Sequence, residues 1–234
     1  MKKKIGIIGG AGPMASCQLY QMIIEICQKK YECKNDFDFP EIQIISYPFA
    51  DMLNNVSYSE NRALLASQLQ YCFDLLVAQN SELIAIACNT LHTILDERLN
   101  EGVIPKCKFI NIAKVALEES KRRGLSNVLV LATSSTIRFN LYSSMFINCV
   151  VPNKQDQQTV DNIIANILAG NVRLKDSQIL SGMIWRYGVG GVILGCTELP
   201  LLYEKYSFEG VFAEILDSTR ILAEKLVSEA MNVV

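Results

Sequence analysis

Five short apolar runs, rich in β-branched residues, recur along the chain with longer segments of helical period between them, and this alternation narrows the fold more than any other feature. Ile5 to Ile8, Ile42 to Ile45, Leu83 to Ala87, Val128 to Ala132 and Val192 to Leu194 read as buried strands. After Pro13, which suits a first helical position, Leu19, Met22, Ile23, Ile26 and Cys27 form an apolar stripe at helical spacing. Ser57 and Glu60 make a candidate capping box for a helix running through Leu76. Further helices are expected from Ile112 to a capping Gly124, from Val160 to Gly170, and from near Asp217 onward. Alternating βα units imply a mostly parallel sheet covered by helices on both faces.

A loose internal repeat sharpens this expectation. Leu83-Ile84-Ala85-Ile86-Ala87-Cys88-Asn89-Thr90 and Gly191-Val192-Ile193-Leu194-Gly195-Cys196-Thr197 share one plan of apolar strand, cysteine and threonine, nearly half a chain apart. The expected fold is therefore α/β, with two pseudo-symmetric Rossmann-like lobes facing each other across a cleft. Residues 1–100 and 210–234 are assigned to the lobe carrying Cys88, and residues 101–209 to the lobe carrying Cys196. The crossings are expected near Asn100 to Pro105 and near Ser207 to Gly210.

Composition removes several function classes. With 22 Lys and Arg against 24 Asp and Glu, and no basic run beyond Lys2 to Lys4, nothing supplies the positive stripe that phosphate backbones require, so a nucleic-acid partner is not expected. Glycines interrupt the apolar start before it reaches signal-peptide length, and no segment approaches a membrane span. The chain has 8 cysteines but no C-x-x-C pair, and it has 1 histidine, which argues against disulfides and against His-based metal sites. A reduced, cytoplasmic enzyme without metal or cofactor fits this usage. Cys17, Cys27, Cys33, Cys72, Cys107 and Cys149 read as small buried hydrophobes.

Cys88 and Cys196 are different, because both stand beyond the carboxyl ends of strands, where open parallel sheets bind ligands. Each precedes an expected helix start, whose free N–H groups favour a thiolate and are expected to lower its pKa. Those N–H groups, with Asn89, Thr90 and Thr197, are suited to hold a carboxylate. Two thiols on opposite sides of an α-carbon allow one to remove a proton while the other returns one. Mutual repulsion separates their titrations as such a reaction requires.

The residues that carry a family resemblance are Ile5-Gly6-Ile7-Ile8-Gly9-Gly10-Ala11-Gly12-Pro13-Met14-Ala15, Cys88-Asn89-Thr90-Leu91-His92 and Ile193-Leu194-Gly195-Cys196-Thr197-Glu198-Leu199-Pro200. On these the chain resembles the aspartate/glutamate racemase superfamily, nearest its aspartate racemase branch. The resemblance implies a homodimeric, cofactor-independent racemase with Cys88 and Cys196 as the two bases, Cys88 serving the D-enantiomer and Cys196 the L-enantiomer. It further implies substrate contacts from Gly12, Met14, Asp51, Met52, Asn89, Thr90, Thr133, Ser135, Thr136, Thr197 and Glu198. Aspartate-specific members carry an arginine in the segment that here reads Phe49-Ala50-Asp51-Met52-Leu53-Asn54, and a lysine where this chain has Leu168. Losing both removes two charge-assisted bonds of about 1.5–3 kcal/mol each, which favours a neutral side chain unless Arg62 or Arg138 reaches the pocket.

Other readings stay open from sequence. Gly10-Ala11-Gly12-Pro13-Met14-Ala15 fits a dinucleotide fingerprint, although Pro13 removes an N–H and the second strand ends without an acidic residue. His92, one helical turn after Cys88, either assists that thiol in proton transfer or in a hydrolase-like attack, or binds a backbone carbonyl. Glu198 is either a partner of the site or a helix N-terminal charge. Tyr142 lines the cleft or packs inside. Hydantoin racemase and maleate isomerase chemistry, and a silent amino-acid sensor, complete the alternatives.

Overall fold

Strand-forming runs and helical segments alternate as the periodicity requires, in a computed structural model that describes residues 2–52, 55–99, 107–144 and 148–232. In chain order they are β1 (Ile5–Gly9), α1 (Pro13–Tyr31), β2 (Ile42–Ser46), α2 (Asn55–Ala78), β3 (Leu83–Ile86), α3 (Asn89–Leu99) and β4 (Lys108–Ile110). There follow α4 (Ile112–Arg122), β5 (Val128–Leu131), α5 (Ser134–Arg138), β6 (Cys149–Val150), α6 (Lys154–Leu168) and α7 (Leu174–Tyr187). The chain continues with β7 (Gly191–Leu194), α8 (Leu199–Tyr206), β8 (Glu214–Asp217) and α9 (Ser218–Met231).

The strands form two sheets of the same plan, β2-β1-β3-β4 and β6-β5-β7-β8, with every pairing parallel. Cys88 follows the third strand of the first sheet and Cys196 the third strand of the second, so the repeat in sequence is a repeat in topology. Four of the five expected strands are buried as read, but β2 lies at a sheet edge and Ile44 is exposed, so that strand covers only one face.

Sheet membership shifts both expected crossings. β4 at residues 108–110 still belongs to the first sheet, so the second unit cannot begin at 101; the stretch from Asn100 to Pro105 itself lies outside the described residues. β8 belongs to the second sheet, so the return after Gly210 is delayed until Asp217, from which α9 runs back to pack on α1 and α4. The reason is packing. One apolar cluster joins Ile5, Ile7, Leu83 and Ala85 of the first sheet to Val128, Val130, Ile193 and Leu216 of the second through α1, α4 and α9. Two further clusters cover the outer faces, one with α2 and α3, the other with α6, α7 and α8. A shared central layer therefore fixes the relative placement of the two sheets, because interiors at near-crystalline density tolerate little sliding.

Helix ends follow local chemistry. Asp217 caps α9 by accepting from the Thr219 and Arg220 N–H groups, and Gly124 ends α4 with φ of 69°. α6 starts six residues earlier than expected because Asn153 caps it, accepting from Gln155 and Asp156. α2 already begins at Asn55, so Ser57 falls inside the helix and is not its cap; the side chain of Ser57 lies outside the described residues.

Candidate active site

The loops after β1, β3, β5 and β7 all open at the same end of their sheets, and a cavity of about 280 Å³ lies among them. Cys88, Asn89, Thr90, Thr133, Cys196, Thr197 and Glu198 line it, as do Gly12, Asp51, Met52 and Leu168. Phe49, Ala50, Ile164 and the Gly10-Ala11 and Pro13 backbone complete the wall. Among these, Ile164 was not singled out from sequence, although it stands one helical turn before Leu168 and so shares its face.

Cys88 immediately precedes α3, and the Leu91 and Thr90 N–H groups favour its thiolate, as expected for a thiol at a helix start. Burial nevertheless outweighs them. The Cys88 pKa is pushed up to about 12, chiefly by desolvation, with the Glu198 carboxyl adding to the rise. Cys196 is also pushed up, first by burial, then by Glu198, with the charge of Cys88 contributing. The expectation of lowered thiol pKa values is thus corrected: helix N–H groups act, but burial favours both neutral thiols.

Polar residues tie the two sheets together around the thiols. Thr90 Oγ1 lies 3.1 Å from Thr133 Oγ1 and 2.9 Å from Thr136 Oγ1, and Thr133 caps α5 through the Thr136 N–H. Tyr142 donates its hydroxyl hydrogen bond to Asn89 Oδ1 at 2.5 Å, and Asn89 Nδ2 donates to Ser218 Oγ at 3.4 Å. Ser218 Oγ in turn donates to the Leu194 carbonyl at 2.6 Å. Tyr142 is therefore buried behind the cavity, where it fixes which side of the Asn89 amide is the acceptor.

Three residues expected to touch substrate lie elsewhere. Met14 is on the exposed side of α1, 64% accessible, while Ser135 and Thr136 are buried behind Thr133 within α5 and do not line the cavity. Neither Arg62 nor Arg138 reaches the wall. Arg62 donates to the Thr93 carbonyl at 3.0 Å and lies over the Phe139 ring, and Arg138 donates to Ser59 Oγ at 3.4 Å. Among the described residues, no lysine or arginine lines the cavity, and no cluster of His, Cys, Asp and Glu is placed to hold a metal. No helix of the described residues is long and apolar enough to cross a membrane.

His92 is fully buried with both ring nitrogens engaged. Nδ1 lies 2.8 Å from the Cys88 carbonyl, and Nε2 accepts from the Ile112 N–H at 3.2 Å. Nδ1 therefore carries the proton and donates, so the imidazole ties β3 to α4 and has no nitrogen left for the Cys88 sulfur. Burial lowers its pKa from 6.5 to about 4. A histidine held neutral in the fold contributes stability fully above 6.5, and loses it as pH falls towards 4, because the unfolded chain binds the proton first. The expected loss is roughly 3 kcal/mol. His92→Gln should remove this component, so urea midpoints of wild type and variant converge as pH drops from 7 to 4; parallel curves would refute it.

Gly12 has φ of 84°, and a Cβ there would collide with Glu198 Oε1. The glycine is thus needed for the loop's conformation and for the carboxyl beside it. The Gly10 to Gly12 loop faces this carboxyl and the two thiols, an arrangement unlike the phosphate cradle of a dinucleotide site.

Comparison with known proteins agrees with this fold. The Asp/Glu/hydantoin racemase family profile matches residues 8–226. A broad specificity amino-acid racemase of Bacillus subtilis (strain 168) is 26% identical over 96% of each chain. The structure of an aspartate racemase homologue from Pyrococcus horikoshii OT3 is 30% identical, covers 99% of this chain and 100% of its own, and superposes with a TM-score of 0.73. The Picrophilus torridus aspartate racemase is 24% identical over 98% of this chain and 94% of its own, with a TM-score of 0.80, and shares the fold. With two parallel sheets of the same plan and a family match spanning most of its length, the chain belongs to the Asp/Glu/hydantoin racemase family, and its activity class is that of an amino-acid racemase.

Proposed function

We propose that this enzyme interconverts the L- and D-enantiomers of an α-amino acid with a neutral side chain, using Cys88 and Cys196 as two opposed acid–base groups. The observation that carries the reading is one cavity lined by both thiols and by Asn89, Thr90, Thr133 and Thr197, but by no lysine or arginine among the described residues. Substrate lies between the sulfurs. One thiolate takes the α-proton, and the other thiol delivers a proton to the opposite face, so atoms and charge balance without pyridoxal phosphate, flavin or metal.

The raised thiol pKa values fit this chemistry once substrate is considered. A bound amino acid brings an ammonium group into a cavity that no lysine or arginine of the described residues lines, and a positive charge near a thiol favours its thiolate. The substrate thereby helps to create the base that attacks it. Its carboxylate is expected to meet the hydroxyls of Thr90, Thr133 and Thr197 and the N–H groups at the start of α3. Phe49, Met52, Ile164 and Leu168 form an apolar wall for the side chain. An aspartate or glutamate side chain placed there would meet no lysine or arginine of the described residues, at a cost of about 1.5–3 kcal/mol for each charge-assisted bond not made.

The test is a panel of L- and D-amino acids and 5-substituted hydantoins, incubated with purified enzyme without added cofactor and resolved by chiral chromatography. Neutral amino acids should racemise fastest. Preference for aspartate or glutamate would sink the side-chain assignment, and turnover of hydantoins alone would move the reading to that branch of the family. A homodimer in a reduced cytoplasmic setting belongs to the same reading, and light scattering in reducing buffer would contradict it by returning a monomer.

A further inference from the structure

The two thiols are chemically alike but their surroundings are not. Negative charge on the Cys88 sulfur is favoured by the N–H groups of Leu91 and Thr90 and by the Thr90 hydroxyl, and opposed by the Glu198 carboxyl, to which Cys88 makes no hydrogen bond among the described residues. Cys196 has one such N–H, that of Glu198, and also faces the carboxyl group of the same residue. Its thiol donates to Glu198 Oε2 at 3.0 Å, and the Thr197 hydroxyl donates to the same oxygen at 3.3 Å. Glu198 is itself buried, and the side-chain groups within hydrogen-bonding reach of it are those two donors; no ion pair with it is present among the described residues. Gly12 leaves the space that its other oxygen occupies. The other titratable group that acts on Cys196 is Cys88, whose charge disfavours a second negative charge there.

We infer that Glu198 is a positioning residue that sets the polarity of the thiol pair, holding Cys196 as the proton-bearing thiol and leaving Cys88 as the thiol that ionises first when substrate binds. This rests on the two-thiol reading above and adds which member is loaded. In one direction of turnover, Cys88 sulfur takes the α-proton as the C–H bond breaks, and its electron pair stays on carbon. The Cys196 S–H bond then breaks, and its proton forms the new C–H bond on the opposite face. This leaves a Cys196 thiolate beside Glu198, the disfavoured arrangement, which solvent reprotonates while Cys88 releases its proton. Glu198 thus lowers the population of one of the two free-enzyme forms. It accounts for a buried carboxyl at the start of α8 that accepts from a reacting sulfur and does not cap the helix through its side chain.

The experiment is alkylation of the full-length protein by iodoacetamide, with Cys88, Cys196 and the exposed Cys17 followed separately by peptide mass spectrometry from pH 7 to 10. Access does not separate the two thiols, since Cys88 is 8% and Cys196 6% exposed. In wild type, Cys88 should be modified about tenfold or more faster than Cys196, the factor that corresponds to one pKa unit between them. In Glu198→Gln, the Cys196 rate should rise by about tenfold and its pH profile move to lower pH, with a smaller rise at Cys88 and none at Cys17. Equal rates at Cys88 and Cys196 in wild type would overturn the proposal without reference to any variant. An unchanged ratio in a folded Glu198→Gln would do the same. Labelling needs no turnover, so loss of the racemase reading and loss of this polarity are read from different measurements.

Discussion

Cys88→Ala and Cys196→Ala are each expected to lower racemisation by about 10³-fold or more, the range general acid–base groups supply. The double variant should be scarcely worse than either single one, because two groups that act as a unit are not additive in their loss. Stability should change little. Both sulfurs line a cavity already open to small molecules, so truncation enlarges an existing space and does not open a dry void in the core, at a cost of about 1 kcal/mol. A fall in activity with an unchanged denaturation midpoint therefore separates chemistry from folding. If Cys196→Ala kept normal rates, a one-base or Cys88-nucleophile mechanism would replace the account. His92 does not rescue such a nucleophile, since both its nitrogens are committed to backbone.

The second large effect concerns the side-chain wall. Met52→Arg and Leu168→Lys each place a cation on the cavity lining where none stands among the described residues. A charge-assisted bond to an acidic side chain is worth about 1.5–3 kcal/mol. Each substitution should therefore raise kcat/KM for aspartate relative to a neutral amino acid by about tenfold to a hundredfold, mainly through KM. Leu168 is 40% exposed and Met52 half-buried, so both sites accept a longer polar chain without burying it fully. Unchanged ratios would mean that the substrate side chain points away from this wall.

Much of this architecture was legible in the sequence, for identifiable reasons. Long β-branched runs such as Val128 to Leu131 carry enough apolar length to be read as strands, and the glycines and prolines around them punctuate the helices. The strands that escaped are the short ones at or near the edges: Lys108–Ile110, Cys149–Val150 and Glu214–Asp217 contain too few apolar residues for a period to show. Their absence is also why the crossings between units were misplaced, since β4 and β8 are the strands that lie beside them. α7 escaped because Ser181 and Gly182 interrupt its stripe and Trp185 is exposed, although Leu180, Met183 and Ile184 face inward.

At the site, the residues next to the cysteines in sequence line the same cavity as the cysteines, because a strand end and the following turn move as one piece. Met14, Ser135 and Thr136 do not, since a position in a motif does not say which way a side chain leaves a helix. The pKa values of the thiols were misjudged for a different reason. Sequence reveals nearby N–H groups and charges but not the depth of burial, and here desolvation is the largest influence on both sulfurs. The contact between Cys196 and Glu198 was one of two alternatives left open, because residues two apart meet only when a turn, not a helix, connects them.

The most direct measurement of the central claim is racemisation in deuterated water, stopped at low conversion, with the α-position of both enantiomers examined by NMR and mass spectrometry. Two opposed bases predict deuterium in nearly all of the product and almost none in the recovered substrate, starting from either enantiomer, because the abstracted proton stays on one sulfur while the other delivers a solvent-derived deuteron. Deuterium appearing in recovered substrate as fast as in product, or protium carried over into product, would mean that a single group serves both faces, and would contradict the account.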